Sequence, residues 1–254
     1  MTALTEVCAY LDGYLNIREV PDESNAVNGL QVENEGDVQR IVAAVDASLE
    51  TITGCGAGGS PLLLVHHGLF WDGNVPLTGR RMRRLRALLE RDAALYAAHI
   101  PLDVHPDVGN NAVLAGRLGL SIAGWFGAYR GISIGVWAEA SDSLRDRSFL
   151  VRRLSELLET DVRLLPGGPA QVRRIGIITG AAGSMISAAR DAGLDTFITG
   201  EGPHHSYFDA MEWGVNVIYA GHYATEQVGV QALATHLAER FGLPWEFHRH
   251  PTGL

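Results

Sequence analysis

The sequence repeats itself, and that repeat constrains its fold more than any other feature. Tyr96-Ala97-Ala98-His99 returns 123 residues later as Tyr219-Ala220-Gly221-His222. Continued without a gap, the alignment pairs Asp103 with Glu226, Leu114 with Leu237, Arg117 with Arg240, and Gly119-Leu120 with Gly242-Leu243. Each copy is an apolar strand, a histidine, a carboxylate four residues on, and a helix closed by Gly-Leu. A second ungapped alignment, at an offset of 134, sets Val38-Gln39-Arg40-Ile41 on Val172-Arg173-Arg174-Ile175 and carries His67 onto Glu201. Self-similarity on this scale predicts two related lobes.

The apolar runs fit that frame. Val38 to Val45, Leu62 to Val65 and Ala94 to Ala98 read as buried strands in the first half. Ile175 to Thr179, Thr196 to Thr199 and Val215 to Ala220 do so in the second. Helical spacing covers Thr5 to Leu15, Ala47 to Ala57, Gly79 to Arg91, Asn111 to Leu118, Ser143 to Leu158 and Ala224 to Phe241, with Ser143 as an N-cap. On Gly79 to Arg91, Met82, Leu85, Leu88 and Leu89 are expected inward, and Arg80, Arg81, Arg83, Arg84, Arg86 and Arg91 mostly outward. Strand alternating with helix predicts an α/β fold: two similar lobes, each with a mostly parallel sheet flanked by helices, related by a pseudo-twofold. The expected domains are a first lobe over 1–120, a connecting segment over 121–142 rich in glycine and tryptophan, and a second lobe over 143–254.

The polar residues fall where such lobes keep their ligands. Leu62-Leu63-Leu64-Val65 runs into His66-His67, at the carboxyl end of a buried strand. Neighbours on an extended chain point opposite ways, so this pair suits two metals, or one metal and one structural bond. The repeat adds His99 with Asp103 and His222 with Glu226, each pair sharing one side of a helical turn. Facing lobes would bring His66, His67, His99, Asp103, Glu201, His222 and Glu226 to one metal cleft between them. Histidine and carboxylate without cysteine suit Zn, Mn, Fe or Co rather than a structural thiolate site. Two ions about 3.5–4 Å apart are a common device for hydrolysis, activating water and stabilising the developing oxyanion. Any single His-x-x-x-acid pair is more often a cap or a local hydrogen bond; two in register beside His-His reverse that preference. His204 and His205 open a helix and either line the cleft or face solvent. The arginine-rich helix serves as a solvated or subunit-contact face, with phosphate contact by Arg80 or Arg81 as the alternative.

Composition narrows the chemistry. Apolar residues make up 46% and charged residues 19%, as in an ordinary globular protein. The basic residues are all arginine, which excludes Schiff-base lysines and the lysine-bearing phosphate loop. A net charge of −9 argues against a nucleic-acid coat. Cys8 and Cys55 stand in no metal or redox spacing, no apolar run reaches the roughly 18 residues of a membrane span, and the first residues lack a signal-peptide pattern. A reducing cytoplasm is the expected location. No Gly-x-Ser-x-Gly elbow is present. Two functions fit: a metal-dependent hydrolase of a small nucleotide-like or phosphorylated molecule, with Glu201 or His99 shuttling protons, or a metal-binding scaffold, metallochaperone or regulatory ring.

Four motifs in order carry a family resemblance across nearly the whole chain. They are Asn28-Gly29-Leu30-Gln31-Val32, the strand ending in His66-His67-Gly68, Tyr96-Ala97-Ala98-His99 with Asp103, and Gly221-His222-Tyr223-Ala224-Thr225-Glu226. Together they resemble the dinuclear-metal hexameric proteins related to the yeast NGG-one-interacting factor three. Bacterial members are commonly named GTP cyclohydrolase type I, type II homologues. The resemblance implies a two-lobed α/β subunit, a toroidal homohexamer, and two divalent ions per subunit facing a central cavity. It also implies that His67 and Asp103 hold one ion, His66 and His222 the other, and Glu226 bridges both. His99, Glu201 and His205 would stand around the site as acid–base or supporting groups. Gly68 and Ile100 depart from the family, where proline and threonine are frequent; every implied ligand is intact.

Overall fold

Leu62 to Val65 are fully buried and have no polar face to offer water, so they occupy the centre of a sheet covered on both sides. The computed structural model describes residues 2–254. It resolves into two units, one formed by residues up to 108 with 229–250, the other by 109–228 with 251–254.

The first unit contains β1 (Thr2–Ala3), α1 (Leu4–Tyr14), β2 (Gly29–Val32), β3 (Asp37–Val38), β4 (Arg40–Asp46), α2 (Leu49–Gly54), β5 (Pro61–His67), α3 (Gly79–Leu89), β6 (Ala94–Ala97) and the one-turn α4 (Ile100–Asp103). The second contains α5 (Asn110–Arg117), β7 (Ile122–Tyr129), β8 (Ile132–Glu139), α6 (Arg147–Leu158), β9 (Arg163–Pro166), β10 (Arg174–Ile177), α7 (Ile186–Asp191), β11 (Thr196–Thr199), α8 (Ser206–Trp213) and β12 (Asn216–Tyr219). Helix α9 (His222–Phe241) begins in the second unit and its later turns belong to the first, as does β13 (Trp245–Phe247).

In the first unit the sheet order is β13-β4-β5-β6-β2, parallel except for β2. Side-chain alternation divides its core. Leu62 and Leu64 pack with Leu4, Val7 and Leu11 of α1 and with Val230, Leu233 and Leu237 of α9, while Leu63 and Val65 pack with Ile52 of α2 and Ala87 and Leu88 of α3. In the second unit the order is β7-β8-β10-β11-β12-β9. Strands β10, β11 and β12 run parallel, and β9 pairs antiparallel beside β12 as β2 does beside β6. The sequence repeat is therefore a repeat of topology: β2-β4-β5-β6 matches β9-β10-β11-β12.

Three expectations give way to the structure. The segment 121–142 is no connector: β7 and β8 form a hairpin that extends the second sheet. Its two-residue turn is Arg130-Gly131, at φ 47° and 91°, between paired Tyr129 and Ile132. Positive φ at both positions gives the turn whose twist matches the strands. Helix α6 starts later than the spacing predicts, capped by Asp146, whose Oδ1 accepts from Phe149 N at 2.7 Å. The helix read over Asn111 to Leu118 forms as α5, and Pro101 and Pro106 keep the first copy from running on as α9 does for 20 residues. On α3, Leu88 is buried as expected, yet Leu89 is 61% exposed and Arg81 only 9%.

Candidate metal centre

Within the first unit, the polar ends of β5 and β6 gather three imidazoles. One ligand nitrogen from each of His66, His67 and His99 lies within 4.8 Å of the others. Each ring is held through Nδ1. His66 Nδ1 donates to the Ala98 carbonyl at 2.9 Å, His67 Nδ1 to Asp46 Oδ1 at 2.9 Å, and His99 Nδ1 to Asp22 Oδ1 at 2.8 Å. Carbonyls and carboxylates only accept, so the proton sits on Nδ1 and the lone pair on Nε2. This tautomer, fixed by an oxygen behind the ring, is the one metal-ligating histidines adopt.

The backbone explains each partnership. Asp46 and His67 are paired across the β4–β5 ladder, so their side chains project together. Asp22 is anchored further: Oδ2 accepts from Ile100 N at 2.9 Å and from Asn28 Nδ2 at 2.8 Å. Asn28 Oδ1 in turn accepts from His99 N at 2.8 Å. Burial would raise the Asp22 pKa, but hydrogen bonds and the neighbouring His99 carry it below the usual carboxylate value. Gln31 fixes the chain after His67: its Oε1 accepts from Leu69 N at 2.8 Å, and its amide donates to the Ala26 and Val27 carbonyls. The Gln31 amide occupies the space a Cβ on Gly68 would need, so the glycine at this family departure is matched to its neighbour. Trp71 stands edge-on to His67 and His99 and walls the cluster.

Asp103 is buried, with Oδ2 3.7 Å from His66 Nε2. That separation is too long for a hydrogen bond. Asp103 thus sets a carboxylate beside the imidazoles. The donor set therefore fits a divalent cation.

The second unit gathers carboxylates around one imidazole. His222 opens α9 with Nδ1 2.6 Å from Glu201 Oε1 and Nε2 3.1 Å from Glu226 Oε2. Glu226 is 3% exposed. Burial alone would lower the His222 pKa, but the two glutamates outweigh it and push the value up to about 9. Room for this arrangement comes from glycine. Gly180, at φ 70°, faces Glu226 Oε1 where a Cβ would stand, and a Cβ on Gly200 would meet the Gly180 carbonyl and the His222 backbone. Thr225 Oγ1 accepts from Gly180 N at 3.0 Å, tying that glycine to the first turn of α9.

The structure thus groups His66, His67, His99 and Asp103 in one unit, and Glu201, His222 and Glu226 in the other. His204 and His205 are exposed, and His205 caps α8 without a side-chain bond. Sequence reasoning does not single out Asp22 or Asp46. Their signal is weak: Asp22 lies 77 residues from His99, and the repeat carries Asp46 onto Gly180.

Comparison with known proteins places the chain in a family. The model of the Duf34/NIF3 family (NGG1p interacting factor 3) matches residues 2–251. The chain belongs to the Duf34/NIF3 family. A Deinococcus radiodurans member named GTP cyclohydrolase 1 type 2 homolog is 44% identical, over 98% of this chain and 94% of that protein. A Pyrococcus abyssi member of the same name is 43% identical, over 98% of each. Among solved NIF3 relatives, TTHA1606 from Thermus thermophilus superimposes with a TM-score of 0.86 at 39% identity, covering 100% of both chains. The protein ybgI, described as of unknown function, does so with a TM-score of 0.91 at 34% identity, again over 100% of both. No helix among the described residues is long and apolar enough to cross a membrane.

Proposed function

We propose that this NIF3 protein holds two divalent metal ions through His66, His67, Asp103, His222 and Glu226, and uses them to hydrolyse a small nucleotide-like or phosphorylated molecule. The observation that carries the proposal is the shared anchoring of the histidines through Nδ1. Four rings, in both units, each commit Nδ1 to an oxygen, which leaves Nε2 as the nitrogen for a metal. Rings serving only as core hydrogen-bonding groups would have no reason to agree.

When bound, such ions supply water activation and charge stabilisation at an oxyanion. The residues of this chain supply the rest. Asp46 and Asp22 orient His67 and His99, and Asp103 and Glu226 bring the negative charge that imidazoles lack. Glu201, with its side chain 45% exposed, both orients His222 and offers an oxygen that solvent protons reach. His99, beside His66 and His67, is the corresponding proton-handling group of the first unit. The homohexamer implied by the family resemblance belongs to the same proposal, and light scattering on the purified chain should read the mass of six copies.

The test uses one preparation. Metal content is measured on wild type and Glu226→Ala, and both are screened for turnover of nucleotides and phosphoesters. Two ions per chain with turnover, both lost in Glu226→Ala, is the expected result. Metal without turnover of any substrate would favour a scaffold or metallochaperone. Wild type that binds no transition metal would overturn the assignment of the histidines.

A further inference from the structure

Helix α3 turns two arginines toward the segment that follows His67, and they line a hollow of about 250 Å³. Its walls are apolar: Leu69 and Phe70 from the segment after β5, and Leu77 and Leu85 from the α3 side. Arg81 is buried into one wall, its guanidinium 5.7 Å from the Phe70 ring centroid and Nη1 donating to the Val75 carbonyl at 2.6 Å. Arg84 is different. Its Nε is buried and donates to no acceptor, and no carboxylate pairs with it among the described residues. Among the arginines of this helix it is Arg80 that forms the ion pair, with Asp72 at 2.7 Å.

Arg84 is half-buried at the edge of an apolar hollow with its Nε turned away from solvent and from any acceptor, and an anionic head group would supply one. Burial and the neighbouring Arg80 hold the Arg84 pKa below the usual arginine value, and the Asp72 and Asp46 carboxylates act against them. Asp46 is the group that holds His67 Nδ1, so the hollow lies within electrostatic reach of the candidate metal ligands. Gln31, on the hollow's remaining wall, fixes Leu69 directly and so gives the opening a set shape.

We infer that this hollow is the substrate pocket of the metal site and takes a small organic anion with an apolar or planar body, its anionic head on Arg84 and its body between Leu69, Phe70, Leu77 and Leu85. The inference rests on the dinuclear reading above for its link to the metals, and on the hollow alone for its ligand class. Carboxylate and phosphate heads share the chemistry Arg84 offers, and the probes distinguish them.

The experiment titrates the full chain with 1-naphthyl phosphate, 1-naphthoate and the neutral 1-naphthalenemethanol, with and without Zn2+, by calorimetry and saturation-transfer NMR. At least one anion should bind about tenfold or more tighter than the alcohol, and the better anion names the head group. Arg84→Gln should erase that margin while leaving the alcohol unchanged. Leu77→Glu, at a position 53% exposed, should repel the anions. Equal binding of alcohol and anions, an unchanged margin in Arg84→Gln, or no binding of any probe would overturn the ligand class. With Mn2+ in place of Zn2+, the bound naphthyl protons should broaden; binding without broadening would detach the pocket from the metals. Since the Arg84 margin is also read without metal, a protein that takes up no metal defeats the dinuclear reading without obscuring this one.

Discussion

The two halves of the repeat handle histidine in opposite ways. In the first unit, three imidazoles gather at the ends of β5 and β6, and the oxygens behind them are one carbonyl and two aspartates. In the second, one imidazole stands between two glutamates. The first half is rich in nitrogen donors and the second in carboxylates. Imidazoles bind a divalent cation well but do not neutralise it. The difference also sets what happens without metal: protonated His222 satisfies the two glutamates, so a proton and a metal ion compete for the same Nε2.

The largest effect should come from removing charge in the second unit. Glu226→Ala is expected to abolish binding of both ions, read as metal per chain after dialysis. Next is the carboxylate that orients a ligand. Asp46→Asn keeps shape but weakens the hold on His67 Nδ1, and metal affinity should fall about 10- to 100-fold. Its urea midpoint without metal should move far less. If affinity is unchanged, the tautomer of His67 is not set by Asp46.

The pH dependence separates the halves further. The His222 pKa is raised from 6.5 to about 9. In the metal-free protein its contribution to stability is therefore complete below 6.5 and disappears as pH rises through about 9. Metal affinity should rise over the same window as the competing proton leaves. Urea midpoints of metal-free wild type and His222→Gln should converge as pH rises past about 9, and parallel curves would contradict the shift. The smallest effect is expected at Gln31→Ala. Losing the tie to Leu69 should cost about 1–2 kcal/mol of stability and loosen the segment after His67, with metal content retained.

Much of this arrangement is legible in the sequence, and the reasons for success and failure are specific. Buried parallel strands are continuous apolar runs, so β4, β5, β6, β11 and β12 stand out, and with them the position of His66-His67. The repeat locates His99, Asp103, His222 and Glu226 because strand, turn and carboxylate recur at fixed spacing. The β7–β8 hairpin is obscured because Gly124, Gly127 and Gly135 break its alternation; each is glycine because Trp137, Met185, Phe126 or Ile178 fills the space of its Cβ. Asp22 and Asp46 escape notice because a hydrogen bond across a sheet or a loop has no period. Arg81 and Arg84 read as outward because helical spacing assigns a face without knowing which neighbouring segment covers it.

The most direct measurement is X-ray absorption on the zinc-loaded full chain. The dinuclear assignment predicts a shell of nitrogen and oxygen at about 2.0–2.1 Å with imidazole scattering, no sulfur, and a metal–metal vector at about 3.5–4 Å. A sulfur shell, or zinc spectra without imidazole or a second metal, would contradict it.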